Sequence, residues 1–410
     1  MTGHFSKRGS RWYVWLDVGP GPDGRRRQKS MGGFATRREA EAAFADVRDQ
    51  VRSGTYAPAS KLTLGEYLVD YWLPASKASL RPSTWVVNRT NIANHVVPAL
   101  GAVQLQKLTP AKLHAFYAEL LANGRRDGRG GLSPRTVHGL HLMLRTALRD
   151  AVRFGHLGRN PARDAEPPRF ARPNLCVWSA AQLGAFLRQV EGDRLYAAWL
   201  LFVTTGMRRG EVVGLRWADL DLDARRLSVT QAVVVAGPEL VVSEPKTTNS
   251  RRTIALDPST AAALADHREA QDAERRAAGP AWCESGLVFT WPDGRVIHPD
   301  RLNVWFARHR RLAGLPRLRI HDLRHSHATA ALAAGVPAKV VSERLGHTNV
   351  AITLNVYSHV LPSLQDEAAL RVARLILGDD DEGQCPGADV EHDGADPEPG
   401  EDGASEEEAG

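Results

Sequence analysis

Proline placement restricts this chain more than any other feature. Pro161, Pro167, Pro168 and Pro173 crowd one short stretch, and each fixes φ and removes a backbone donor, so neither a helix nor a central strand can pass through it. The chain must therefore build separate cores on either side of a linker at 166–173. Its 410 residues allow this, since one domain commonly takes about 150 residues.

Two patterns precede the linker. Residues 1–60 open on Arg11-Trp12-Tyr13-Val14-Trp15-Leu16-Asp17-Val18, an aromatic and β-branched run that enters the turn-forming Gly19-Pro20-Gly21-Pro22-Asp23-Gly24. The basic residues Arg25, Arg26, Arg27 and Lys29 follow, and Thr36 with Glu39 forms a capping box ahead of a helix over 40–51. A small sheet with one helix is predicted. Residues 61–165 read as all-helical. The capping box Thr63 to Glu66 introduces the stripe Leu64, Tyr67, Leu68, Tyr71 and Trp72. Thr109-Pro110 and Ser133-Pro134 each place an N-cap before a first-turn proline, and Val137, Leu140, Leu144, Leu148, Ala151 and Val152 then share one face.

After the linker, 174–377 alternates helical stretches with one strand-rich patch at 227–254. The expected fold class is mainly α with small β-sheets (α+β), in several domains. The last segment, 378–410, holds 14 Asp and Glu, no Lys or Arg and almost no bulky apolar residue, too little to order itself. With that tail set aside, 53 Lys and Arg face 33 Asp and Glu, a net charge of +20. Such a surplus suits a polyanion, nucleic acid first, because each phosphate neutralised releases counterions. A GC-rich coding sequence also yields an Arg- and Ala-rich chain, so charge alone does not decide. Cys176, Cys283 and Cys385 are too few and too scattered for a disulfide framework or a zinc site. With no signal peptide and no apolar run near about 18 residues, a cytoplasmic protein with no membrane partner is expected.

Four segments carry chemistry. Thr205-Gly206-Met207-Arg208-Arg209-Gly210-Glu211 links an apolar helix over 197–203 to another over 212–217. Alone, it also reads as a turn with a surface Arg208–Glu211 pair. Ser243-Glu244-Pro245-Lys246-Thr247-Thr248-Asn249-Ser250-Arg251-Arg252-Thr253-Ile254 lies between two β-prone runs, which puts Lys246 on a hairpin with Arg251 and Arg252 as candidate DNA contacts. In His321-Asp322-Leu323-Arg324-His325-Ser326-His327, a three-residue spacing sets His321 and Arg324 on one helical face. Three histidines also raise a metal site, yet no His-Glu-x-x-His pattern or cysteine partner accompanies them. Finally Leu345-Gly346-His347 is followed ten residues later by Tyr357, which in isolation reads as a core aromatic.

Taken in order, Arg208, Lys246, His321, Arg324, His347 and Tyr357 with those neighbours resemble the tyrosine recombinase (phage integrase) family. The resemblance covers the third domain, about half the chain, and rests most on Thr-Gly-Met-Arg-Arg-Gly-Glu, His-Asp-Leu-Arg-His and Leu-Gly-His with its later Tyr. It implies an arm-type DNA-binding domain at 1–60 contacting DNA through Arg25, Arg26, Arg27 and Lys29, a helical SAM-like core-binding domain at 61–165, and a catalytic domain at 174–377. It also implies double-stranded attachment-site DNA as partner, self-association to a tetramer on DNA in which a helix over 363–377 docks on a neighbour, and a directionality factor or host DNA-bending protein.

The residue types suit that chemistry. Phosphodiester cleavage places negative charge on nonbridging oxygens, which planar bidentate cations such as Arg208 and Arg324 match. A 5′-alkoxide leaving group needs a proton, and Lys246 is a mobile donor. His321 and His347 share donation to phosphate and uptake of the phenolic proton, a division the sequence leaves open. Tyr357 as nucleophile stores the bond energy in a 3′-phosphotyrosine, so no metal or nucleotide cofactor is expected. Glu211 is expected to orient Arg208. A type IB topoisomerase shares the chemistry without an arm-like domain, and a non-catalytic DNA-binding regulator lacks it.

Overall fold

The computed structural model describes residues 3–20, 26–53, 56–171, 176–243, 251–347 and 349–357, with 369, 370, 372, 373 and 376; it leaves out the side chains of 3, 17–20, 26–29, 352 and 355–357. Arg25, Lys246, the linker beyond 171, the expected tail from 378 and most of 358–377 lie outside the described residues. The described residues up to Tyr357 form one compact unit.

The chain opens with a three-stranded antiparallel sheet, β1 (Gly3–Arg8), β2 (Arg11–Pro20) and β3 (Arg26–Phe34), in that order. Alternation along β2 turns Val14 and Leu16 inward, both fully buried, against Ala40 and Val47 of α1 (Arg37–Arg52). Phe5 meets Phe44 edge to face at 5.5 Å in the same layer. Thr36 caps α1 by accepting from the Glu39 N–H, while the Glu39 carboxylate reaches the N–H of Ala35 rather than that of Thr36. The strand β1 was not foreseen, and the basic residues Arg26, Arg27 and Lys29 belong to β3.

The second core is all-helical. Its first helix, α2, joins Leu64–Glu66, a π-helical Tyr67–Trp72 and Leu73–Ser76 end to end. The second, α3, joins Pro82–Asn91, a π-helical Ile92–Val96 and Val97–Leu100. Both wide turns immediately precede an internal proline, Pro74 and Pro98. A five-residue register, Leu73 N–H to Leu68 C=O and Val97 N–H to Ile92 C=O, opens the turn where a proline ring would strike the carbonyl four residues back. Two longer helices, α4 (Pro110–Asn123) and α5 (Pro134–Arg153), begin at the expected caps Thr109 and Ser133. Phe116, Leu140, Leu144 and Leu148 fill the core between them.

Beyond the linker, α6 (Ala180–Gln189) leads to α7 (Tyr196–Thr205), in which every residue except Tyr196 and Thr204 is buried. A helix apolar all round belongs at a domain centre, and the main cluster of this part, including Trp178, Phe186, Trp199, Phe202 and Phe306, gathers around it. Then follow α8 (Arg209–Val213) and β4 (Leu220–Asp221), β5 (Arg226–Val229), β6 (Ala232–Ala236), β7 (Glu239–Ser243) and β8 (Arg252–Ala255). Strands β4, β5 and β8 form one sheet and β6 with β7 another. The runs flanking Lys246 therefore enter different sheets rather than pairing as one hairpin. Three longer helices, α9 (Pro258–Ala278), α10 (Pro299–Leu312) and α11 (Leu323–Ala333), precede the short α12 (Ala338–Leu345) and α13 (Val350–Tyr357).

Candidate active site

Arg208 sits at the N-cap of α8, immediately after α7 ends at Gly206 in the left-handed region, φ 65°. A side chain at 206 would strain this backbone and bring its Cβ within 2.7 Å of Leu345 and 2.9 Å of His327. Gly210 answers a second close approach, since a Cβ there would lie 2.6 Å from the Val233 carbonyl of β6. Glu211 is buried and accepts from Arg208 twice, from its N–H at 2.8 Å and its Nη1 at 2.8 Å. Burial alone would raise the Glu211 carboxyl, but the guanidiniums of Arg252 and Arg208 outweigh it and hold the group at about 2.

Arg324, on the first turn of α11, is 3% exposed. Its Nη1 donates to the Gly206 carbonyl at 3.0 Å and its Nη2 to that of Leu345, so it joins the end of α7 to the end of α12. His321, one turn earlier, meets His325 edge to face at 5.8 Å. Asp322 between them is fixed by Arg319, whose Nε and Nη2 each donate at 2.7 Å. Burial, then the charge of Arg324, lowers the His321 ring.

His347 follows the left-handed Gly346 that ends α12, and its Nδ1 pairs with Thr353 Oγ1 at 2.9 Å. Burial, then the charges of Arg324 and Arg208, lower this ring to about 4. Thr353 is fully buried in α13, and residue 357 lies one turn beyond it on the same helix. Arg208, His321, Arg324 and His347 thus come together from three segments, joined by the bonds of Arg324 to the carbonyls of Gly206 and Leu345. His321 also lines a groove of about 750 Å³, together with Arg209, Asn303, Arg310, Arg317 and Arg319. Among the described residues no cluster of three or more His, Cys, Asp or Glu is arranged to hold a metal, and no helix is long and apolar enough to cross a membrane.

Three family models match along the chain: an Arm DNA-binding domain over 4–51, a phage integrase N-terminal SAM-like domain over 63–121 and the phage integrase family over 179–363. The last spans all three of these segments and residue 357. The chain belongs to the phage integrase family of tyrosine recombinases. A protein described as tyrosine recombinase XerC-like, from Caldanaerobacter subterraneus, is 28% identical, over 91% of this recombinase and 99% of its own length. Among solved structures, the Tn1549 transposon integrase in complex with a circular intermediate DNA matches with a TM-score of 0.61 at 21% identity, covering 77% of this chain and 99% of its own. A λ integrase tetramer bound to a Holliday junction matches with a TM-score of 0.51 at 18% identity, covering 84% and 95%.

Not every residue expected at a site is placed there. Lys246 lies outside the described residues, and for Tyr357 only the backbone is described. Arg251 is exposed. Arg252, grouped by sequence with the DNA contacts, has a side chain only 6% exposed and is ion-paired to Glu211 at 2.9 Å, which withholds it from a phosphate backbone. The sequence reading also missed the outer face of the first sheet, where alternation along β2 turns Tyr13 and Trp15 away from α1. Arg8 lies 5.2 Å over the Trp15 ring, His4 stands beside it at 6.0 Å and Tyr13 at 6.3 Å. The period-two pattern of 12–16 was the available signal.

The lowered rings of the recombinase give a testable pH dependence. His347 and the half-buried His327 both fall to about 4, against an unfolded value of about 6.5. Between those values the unfolded chain binds more protons, so stability is complete above about pH 6.5 and falls as pH drops toward 4. Melting temperature should therefore decline from pH 7 to pH 4, and His347→Gln should flatten part of that slope. An NMR titration of DNA-free protein should place the His347 midpoint well below 6.5, and a midpoint at or above 6.5 would contradict the geometry.

Proposed function

We propose that Tyr357 attacks a DNA phosphodiester held by Arg208 and Arg324, forms a 3′-phosphotyrosine and releases a 5′-hydroxyl protonated by Lys246. A second 5′-hydroxyl then reverses the step, exchanging strands between two attachment sites so that a mobile element integrates or excises. Arg208 and Arg324 neutralise the nonbridging oxygens, Glu211 orients Arg208, and neutral His321 and His347 donate to phosphate or take up the phenolic proton. The observation that carries this reading is that Arg324 bonds the carbonyls of Gly206 and Leu345, drawing together the turns that carry Arg208 and His347, while the buried Glu211 holds Arg208. Incubation with a nicked duplex bearing the element's own end, in EDTA and without nucleotide, should trap a covalent adduct that peptide mapping locates at Tyr357. Adduct at another residue, or cleavage that requires a metal, would refute the assignment.

Segments beyond the site fit the same reading. DNA contacts by Arg25, Arg26, Arg27, Lys29 and Arg251, assembly as a tetramer, and help from a directionality factor or host DNA-bending protein belong to this proposal; the tetrameric λ integrase relative lends the assembly support. The outer face bearing Arg8, Tyr13 and Trp15 suits contact with a second class of DNA site. A protein starting near Lys61 should still cleave core-type sites yet lose recombination that depends on flanking sites, read by parallel cleavage and recombination assays on short and long duplexes. Unchanged recombination on long sites would remove the arm from the mechanism.

A further inference from the structure

We infer that Arg252 is a positioning residue for cleavage: its buried guanidinium fixes Glu211, and through it Arg208, while tying down the helix end from which His347 projects. The inference rests on the recombinase mechanism proposed above. Each oxygen of Glu211 receives one donor from each arginine. Oε1 accepts from Arg208 Nη1 at 2.8 Å and Arg252 Nη1 at 3.2 Å, and Oε2 accepts from the Arg208 N–H at 2.8 Å and Arg252 Nη2 at 2.9 Å. Without Arg252 the carboxylate loses two of its four donors and keeps only the two from Arg208, so within that set no second residue fixes where the Arg208 guanidinium points.

The third donor of Arg252 acts elsewhere. Its Nε reaches the Arg344 carbonyl at 2.7 Å, and Arg324 Nη2 takes the next carbonyl, Leu345. These belong to the last turn of α12, where carbonyls have no helical partner. Arg344 in turn donates to the carbonyls of Ala255 and Thr204 at 3.0 and 3.1 Å. The turn that aims His347 is thereby fastened to β8 and to the end of α7. Arg252 also opens β8 in register with Val229, which anchors the chain six residues past Lys246. A lysine supplies one ammonium and cannot span Glu211 and the Arg344 carbonyl together.

Arg252→Lys and Arg252→Met in the full chain test this, using single-turnover adduct formation on a saturating nicked duplex bearing the element's own end. A second duplex carries a methylphosphonate at the scissile position, which removes the charge Arg208 neutralises. Arg252→Lys should bind DNA within about twofold of wild type and melt within a few degrees of it, yet cleave the ordinary duplex on the order of tenfold to a hundredfold more slowly, less than loss of a direct donor. On the methylphosphonate its defect should shrink to within about threefold, in parallel with Arg208→Ala. Wild-type cleavage by Arg252→Lys, or an equal loss on both duplexes, would reduce Arg252 to a support of the fold, whatever becomes of Arg252→Met. Adduct formation by the wild type in the same assay keeps that outcome distinct from failure of the recombinase mechanism, since a wild type forming none would remove the mechanism and this inference together.

Discussion

Tyr357→Phe should leave DNA binding within about twofold of wild type and lower covalent adduct formation by at least on the order of 10⁴, the scale at which nucleophile removal acts in covalent catalysis. The change deletes one oxygen and nothing from the backbone of α13, which stays fixed through Thr353 and His347. Gel-shift affinity and adduct yield on a nicked duplex, measured side by side, separate binding from chemistry. Adduct at wild-type yield from the variant would mean that another residue is the nucleophile.

How far the sequence foretold this structure depended on whether a feature is local. The caps at Thr63, Thr109 and Ser133 were legible because the acceptor and donor lie three residues apart. Asp257 and Ser179 cap in the same way. The π-turns ahead of Pro74 and Pro98 were not, because a proline inside a helical pattern signals an end or a distortion, and only packing decides which. Arg251 and Arg252 make the limit clearest. Arg252 opens β8 and its side chain turns inward while Arg251, just outside the strand, is exposed, an outcome that depends on Glu211 and Arg344, far away in sequence. Likewise Gly206 marked a turn, while its service as packing space for Leu345 and His327 appears only in three dimensions.

Under the proposed mechanism, Arg208 and Arg324 should fail in different ways when replaced by alanine. Each loss removes a preorganised donor to the developing charge on phosphate, which costs on the order of 10² to 10³ in cleavage rate. Arg208 has a side chain 38% exposed and, among the described residues, its ion pair is with Glu211, so Arg208→Ala should fold and melt close to wild type, with Glu211 still paired to Arg252. Arg324 is 3% exposed and satisfies the carbonyls of Gly206 and Leu345. Deserting two buried carbonyls costs about 1–3 kcal/mol each, which for a domain of this size corresponds to a melting shift of roughly 5 °C or more. Arg324→Ala should therefore lose both cleavage and stability, and its defect should extend to the turn that aims His347. Thermal melts beside single-turnover cleavage, at a temperature where both variants remain folded, resolve the two cases. If Arg324→Ala melts with the wild type, the carbonyl contacts that join α7 to α12 do not hold the site together, and Arg324 acts on phosphate alone.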